Sequence, residues 1–352
     1  MTRLRVLVVE DSLTVRRRLV DVLNSAHDLE VVGEAADGKR ALELCIALRP
    51  DVITLDMMLP VMSGLAATEY IMAHCPTPIL VVSASTNRGE LFKTYEALAA
   101  GAVDVLEKPR GDEPEGVWER GFLGAVRLVA RIRVITHPRA RLAMLGRARG
   151  LDEGPALRRT GDVRVVALGA STGGPGAIVE ILRGLPVSFP LPILLVLHIG
   201  EPFGAAFVDW LDGQTARRVV TPRDGEPFAS AGGRVVMAPP GLHLSVDAGR
   251  LRLTREPERH SCRPSVDVLF ESVAREFGAA GAACLLTGMG KDGALGMLAV
   301  RRAGGATFAQ DEATSVVYGM PREAVSLGAA ERVLALPEIA GALAALANGG
   351  QP

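Results

Sequence analysis

The chain has 352 residues, 39 Lys plus Arg against 40 Asp plus Glu, and four cysteines. That length suits two domains, each able to bury its own core, and a net charge of -1 excludes a global attraction for nucleic acid or an anionic membrane. Cys45, Cys75, Cys262 and Cys284 are too widely spaced for a disulfide framework or a Cys-x-x-Cys zinc site.

Acidic residues arrive by Glu10-Asp11, too soon for a signal peptide, and no apolar run has the length of a membrane span. A cytoplasmic protein without membrane insertion is expected. Buried-type strands at residues 4–9, 31–34, 52–55, 79–82 and 103–106 alternate with helical patterns, which predicts βαβ units and a parallel sheet over residues 1–134. Residues 135–162 lose this periodicity, are rich in arginine with Pro138, Gly146, Gly150, Gly154 and Pro155, and read as a linker. A second α/β domain is expected over residues 163–345, doubly wound and mainly parallel, with strands from residue 163 and at 193–197, 283–286, 306–309 and 333–336. Short alternating runs at 234–237, 243–246 and 251–254, split by Pro239-Pro240-Gly241 and by Asp247-Ala248-Gly249, predict antiparallel hairpins at an edge of that sheet.

In the first domain Glu10-Asp11 follow the first strand, Asp56 the third, Ser83 the fourth and Lys108-Pro109 the fifth. In a parallel sheet all of them fall on one rim. Three carboxylates in one crevice repel unless a hard cation neutralises them, and Mg²⁺ prefers such oxygen ligands. The pocket can then accept a phosphoryl group on Asp56, with Lys108 on the phosphoryl oxygens and Ser83 hydrogen-bonding the product. The runs Val-Val-Glu10-Asp11-Ser, Leu-Asp56-Met-Met-Leu-Pro-Val-Met-Ser-Gly, Val-Val-Ser83-Ala and Glu-Lys108-Pro109 resemble a two-component receiver domain over residues 4–130. The resemblance implies a flavodoxin-like fold, a histidine kinase as phosphodonor, and a phosphorylation-biased surface running from Ser83 to an aromatic on the last strand. Val105 stands at that aromatic position.

In the second domain Ser171 breaks the run Val-Val-Ala-Leu-Gly-Ala-Ser-Thr-Gly-Gly, His198 closes Leu-Pro-Ile-Leu-Leu-Val-Leu-His, and Asp292 follows Leu-Leu-Thr-Gly-Met-Gly-Lys. Each follows a buried-type strand, so the three can converge although distant in sequence. A serine needs a base to become nucleophilic, and an imidazole needs an acceptor on its other nitrogen. His198 is preferred as base over His243 and His260. Asp292 is preferred over Asp311 and over Asp267, which reads more simply as a first-turn helix residue. The glycines around Thr172 and Met289 let their amides form an oxyanion hole. The alternative of a phosphate cradle lacks a following lysine.

These runs, with Ala-Pro-Pro-Gly-Leu-His243, Arg-Pro-Ser-Val-Asp267-Val-Leu-Phe and Ala-Gln-Asp-Glu-Ala-Thr-Ser-Val-Val-Tyr-Gly-Met-Pro, closely resemble the chemotaxis protein-glutamate methylesterase (CheB) family over residues 163–338. The resemblance implies a triad at Ser171, His198 and Asp292, an oxyanion amide at Met289, and no cofactor for the esterase. It also implies hydrolysis of glutamyl methyl esters, and deamidation of glutamines, on chemoreceptors. The family continues histidine, methionine, proline, whereas this chain reads His198-Ile-Gly-Glu201-Pro202. Fusion to a receiver implies that the unphosphorylated receiver restrains the esterase. Two other readings stand beside this one: a phosphorylation-controlled adaptor that binds receptors without turnover, and a serine esterase or amidase for a small metabolite.

Overall fold

The computed structural model describes residues 3–84, 88–109, 114, 116–132, 134, 163–200 and 203–347. The expected linker, with its arginines Arg139 and Arg141, and Glu201-Pro202 lie outside the described residues. The chain divides into two compact units, Met1–Gly150 and Leu151–Pro352.

In the first unit β1 (Leu4–Val9), β2 (Leu29–Ala35), β3 (Val52–Leu55), β4 (Ile79–Ser83) and β5 (Asp104–Glu107) form one parallel sheet in the order β2-β1-β3-β4-β5. This is the flavodoxin-like order, which places a crevice outside the carboxyl ends of β1 and β3. The inner strands β1, β3 and β4 are largely apolar and buried, whereas the edge strands β2 and β5 carry acids, because α1 (Leu13–Asn24), α2 (Gly38–Leu48), α3 (Gly64–His74), α4 (Arg88–Ala99) and α5 (Val117–Val129) cover the middle of the sheet. Ser12, Asp37 and Ser63 cap α1, α2 and α3 by accepting the amides of Val15, Arg40 and Ala66, which fixes where each helix starts after the rim.

The second unit holds, in chain order, β6 (Val165–Ala170), α6 (Gly174–Gly184), β7 (Ile193–Leu197), α7 (Phe203–Gln214), β8 (Val219–Val220), β9 (Val235–Met237), β10 (His243–Asp247), β11 (Arg250–Thr254) and α8 (Val266–Phe277). Then come β12 (Gly281–Leu285), α9 (Ala294–Arg302), β13 (Ala306–Gln310), α10 (Met320–Ser326), β14 (Arg332–Leu334) and α11 (Leu336–Ala347). Seven strands form a parallel sheet in the order β14-β13-β12-β6-β7-β9-β8. The order reverses at β6, so the residue after β6 stands at the switch point where such sheets bind ligands.

The expected antiparallel pair is present, with His243 opposite Thr254 and Asp247 opposite Arg250, but its place differs from the expectation. β10 and β11 make a separate two-stranded sheet rather than an edge of the main one, and Val235–Met237 lies inside the parallel sheet between β7 and β8. The hairpin instead buries Leu244, Val246 and Leu251 in one core with Leu269, Phe270 and Val273 of α8. Its backbone is tied to that helix, the Val246 amide donating to Ser272 Oγ at 3.0 Å and the Gly249 amide to Glu276 Oε1 at 2.9 Å.

Candidate functional site

In the first unit Glu10 and Asp56 are buried at the ends of β1 and β3, while Asp11 is exposed. Oxygens of all three carboxylates lie within 4.8 Å of one another. Lys108, after β5, sets Nζ 2.9 Å from Glu10 Oε2 and 3.0 Å from Asp56 Oδ2. Burial lifts the Glu10 carboxyl above its ordinary pKa against the opposing effect of Lys108. Burial pulls the Lys108 ammonium down, but Asp56 and Glu10 outweigh it and raise its pKa. Glu10 Oε2 is buried with the ammonium nearby yet without an aligned hydrogen bond. Three carboxylates this close, with Asp11 open to solvent, fit a hard cation that keeps part of its water shell.

Ser83 is buried at the end of β4, but its hydroxyl donates to Glu90 Oε1 on α4 at 2.8 Å. Thr94 Oγ1 donates to Ser83 Oγ at 3.4 Å. Four of the five expected groups thus meet in the pocket, while the fifth is engaged with α4. Sequence reasoning missed Glu90; its signal was an acid in the first turn of the helix that follows Ser83.

In the second unit the Ser171 amide donates to Thr287 O at 3.0 Å and the His198 amide to Ala170 O at 3.0 Å, which seats both residues at the carboxyl ends of neighbouring strands. Asp292, buried before α9, meets His198 Nε2 at 2.9 Å through Oδ2. The same carboxylate receives Ser265 Oγ–H at 2.7 Å, the Val266 amide at 2.7 Å and the Asp267 amide at 3.1 Å. These donors are the hydroxyl cap and first amides of α8, a positive helix end closed by an anion. Burial opposes the Asp292 charge, but His198 and Ser265 prevail and hold its pKa below the ordinary carboxylate value. Burial likewise pulls His198 down, and the bonds to Asp292 and Cys262 outweigh it, raising its pKa to about 9. The resting pair is therefore an imidazolium and a carboxylate.

With Nε2 on Asp292, Nδ1 is the nitrogen left for a substrate or nucleophile; Cys262 Sγ lies 3.8 Å from it. Among the described residues no hydrogen bond joins Ser171 Oγ to His198, so the structure brings His198 and Asp292 into contact and sets Ser171 on the adjoining strand end. Thr172 and Met289 flank Ser171 and Gly288. Neither of their amides donates to a protein acceptor among the described residues. Gly288 is pressed between Ser171 and α10: a Cβ there would stand 2.3 Å from Met320 Sδ and 2.8 Å from Ser171 Cβ. Its amide donates to Val317 O, and the amides of Gly319 and Met320 donate to its carbonyl, so the Val317–Met320 stretch clamps the loop that carries Met289.

The other candidate residues make separate contacts. Asp267 accepts the Gly296 amide at 2.7 Å and contacts His260 Nε2 at 3.1 Å, a second histidine–aspartate pair behind the first. Asp311 accepts from Thr314. His243 Nδ1 accepts the Ser265 amide at 3.1 Å. Ser265 and Cys262 were missed. The first could have been found as the cap residue of the helix that begins at Val266.

Residues 166–343 match the family model of the CheB methylesterase, and residues 6–114 that of the response regulator receiver domain. The chain is 44% identical over 340 residues to a protein-glutamate methylesterase/protein-glutamine glutaminase of Anaeromyxobacter dehalogenans, covering 97% of this chain and 96% of that one. It is 42% identical over 344 residues to a protein of the same name from Nitrosospira multiformis, covering 97% and 96%. The crystal structure of the Thermotoga maritima CheB methylesterase catalytic domain aligns with a TM-score of 0.50 at 34% identity, covering 53% of this chain and 100% of that one. With a receiver module before a methylesterase module and such relatives along nearly its whole length, this chain belongs to the CheB methylesterase family.

Proposed function

We infer that the chain is a phosphorylation-regulated serine esterase that hydrolyses glutamyl methyl esters on chemoreceptors and deamidates their glutamines. The observation that carries this reading is the His198–Asp292 pair beside Ser171, at the switch point of a parallel sheet. Once His198 has lost its proton, Nδ1 takes the proton of Ser171 as Oγ attacks the ester carbonyl. Asp292 holds the ring by Nε2 and stabilises the imidazolium that forms. The Thr172 and Met289 amides receive the oxyanion, each such donor contributing about 3 kcal/mol to the transition state. His198 returns the proton to the leaving methanol, then activates water to release glutamate from the acyl-enzyme. With a glutamine side chain the leaving group is ammonia.

In the receiver, Asp56 takes a phosphoryl group from a histidine kinase and Lys108 orients its oxygens. A Mg²⁺ held by Glu10, Asp11 and Asp56 supplies the charge that offsets the incoming phosphoryl oxygens. Ser83 leaves Glu90 to hydrogen-bond the product. The receiver is assigned to residues 1–134 and the esterase to 163–345. No described helix is long and apolar enough to cross a membrane, and the reading puts the protein in the cytoplasm with its kinase.

Methanol release from methylated receptor membranes tests the assignment. The full chain should release methanol, and Ser171→Ala should lower the rate by about 10³-fold or more while still accepting phosphate. A variant with retained turnover would remove Ser171 from this role; receptor binding by the wild type without any methanol would favour an adaptor.

A further inference from the structure

Three of the four cysteines, Cys45, Cys75 and Cys284, are buried in the cores of the two units, whereas Cys262 is half-exposed beside the His198–Asp292 pair. Its sulfur lies 3.8 Å from His198 Nδ1 and 3.4 Å from the His260 carbonyl oxygen. Bond lengths of about 2.0 Å to imidazole and 2.3 Å to thiolate put those two ligand atoms about 3.6 Å apart around a tetrahedral zinc ion. The observed separation therefore needs only a few tenths of an ångström of adjustment. The other ring nitrogen is already held by Asp292 at 2.9 Å. A carboxylate on the far nitrogen is the arrangement that orients a metal-binding imidazole and raises its basicity.

We propose that Cys262 Sγ and His198 Nδ1 form an inhibitory site for a soft divalent cation, zinc above all, with Asp292 as the carboxylate behind the imidazole. Zinc takes the sulfur as thiolate and the ring as neutral imidazole, so any proton held on Sγ or Nδ1 passes to solvent as the metal binds. The lone pair that would take the Ser171 proton is then engaged by the metal, and attack on the ester stops. The acidic pocket of the receiver is a different kind of site. Its ligands are carboxylates, suited to magnesium, whereas thiolate and imidazole select zinc.

The inhibitory effect rests on His198 being the base; metal binding itself does not, so the two are measured separately. Cobalt is added to the full-length chain with excess Mg²⁺ on the receiver, and zinc inhibition of methanol release is followed in a metal buffer. The wild type should develop a thiolate-to-cobalt absorption that is missing in Cys262→Ser and weakened in His198→Gln. Micromolar free zinc should lower methanol release at least tenfold, with recovery on chelation. Cys262→Ser should need at least tenfold more zinc for half inhibition, measured against its own zinc-free rate. No thiolate absorption in the wild type, or one that persists in Cys262→Ser, overturns the site. Absorption with undiminished methanol release overturns the inhibition, and an enzyme inactive even without zinc that still shows the absorption overturns the esterase reading while the site stands.

Discussion

His198 carries its proton at neutral pH because Asp292 and Cys262 overcome the effect of burial and raise its pKa to about 9. In the proposed mechanism only the neutral ring takes the Ser171 proton, so kcat/KM for methanol release should climb about tenfold per pH unit from pH 6 and level off near 9. An inflection near 6.5 would show that the pair does not exist as an ion pair in the working enzyme. The same shift has a stability sign. The folded pKa lies above the unfolded value, so the contribution is complete below about pH 6.5 and fades as the pH rises through 9. Ser265 is the residue whose role is most open to measurement. Ser265→Ala removes the 2.7 Å bond to Asp292 and the hydroxyl cap of α8, and should lower kcat roughly 10- to 100-fold and stability by about 1 kcal/mol. Ser265→Thr should restore most of both; a lowered melting temperature with unchanged kcat would confine Ser265 to capping. The neighbouring positions of Ser171 and His198 were legible in the sequence because each directly follows an apolar strand, and Asp292 because it closes the glycine-rich loop after β12. Ser265 and Cys262 were not, because their meaning depends on a helix end and a loop brought together across the fold.

At the scale of elements, the strand ends were readable and the hairpin was misplaced. Val235–Met237 is three residues long and buried throughout, too short for periodicity to separate an inner parallel strand from one side of a hairpin. Leu244, Val246 and Leu251 alternate as a half-buried hairpin should, but sequence could not say that α8, rather than the main sheet, covers them. The loop after β12 shows how packing sets chemistry. Gly288 has space for no side chain between Ser171 and Met320, so Gly288→Ala must shift Ser171, the clamp or both. The variant should still be phosphorylated while kcat falls on the order of 10²-fold, since displacement of about 1 Å is enough for such a loss. Unchanged kcat in a folded Gly288→Ala protein would show that the Val317–Met320 clamp yields freely.

Both units of the molecule are built on a parallel sheet, and in each the sequence reading looked for its candidate groups beyond the carboxyl ends of the strands by the same rule. Control of one by the other requires that phosphorylation stabilise two states of the chain unequally. A small phosphodonor with Mg²⁺ should therefore stimulate methanol release about 5- to 150-fold, the range of a coupling of 1–3 kcal/mol. Asp56→Ala should keep the unstimulated rate and lose the stimulation; full stimulation in Asp56→Ala would place the control elsewhere. The contact between Ser83 and Glu90 bears on how quiet the system is between signals. Val105 replaces the ring expected on β5, so the Ser83 hydroxyl is the part whose partner must change, and at rest it is already held by an acidic group on α4. A hydrogen bond to such a group contributes about 1.5–3 kcal/mol, which alone keeps spontaneous excursions of that hydroxyl roughly 10- to 150-fold rarer than for an unheld one. Under the proposed control of the esterase by the receiver, weakening the Ser83–Glu90 bond should therefore raise the rate of demethylation without a stimulus and narrow the gain of the response.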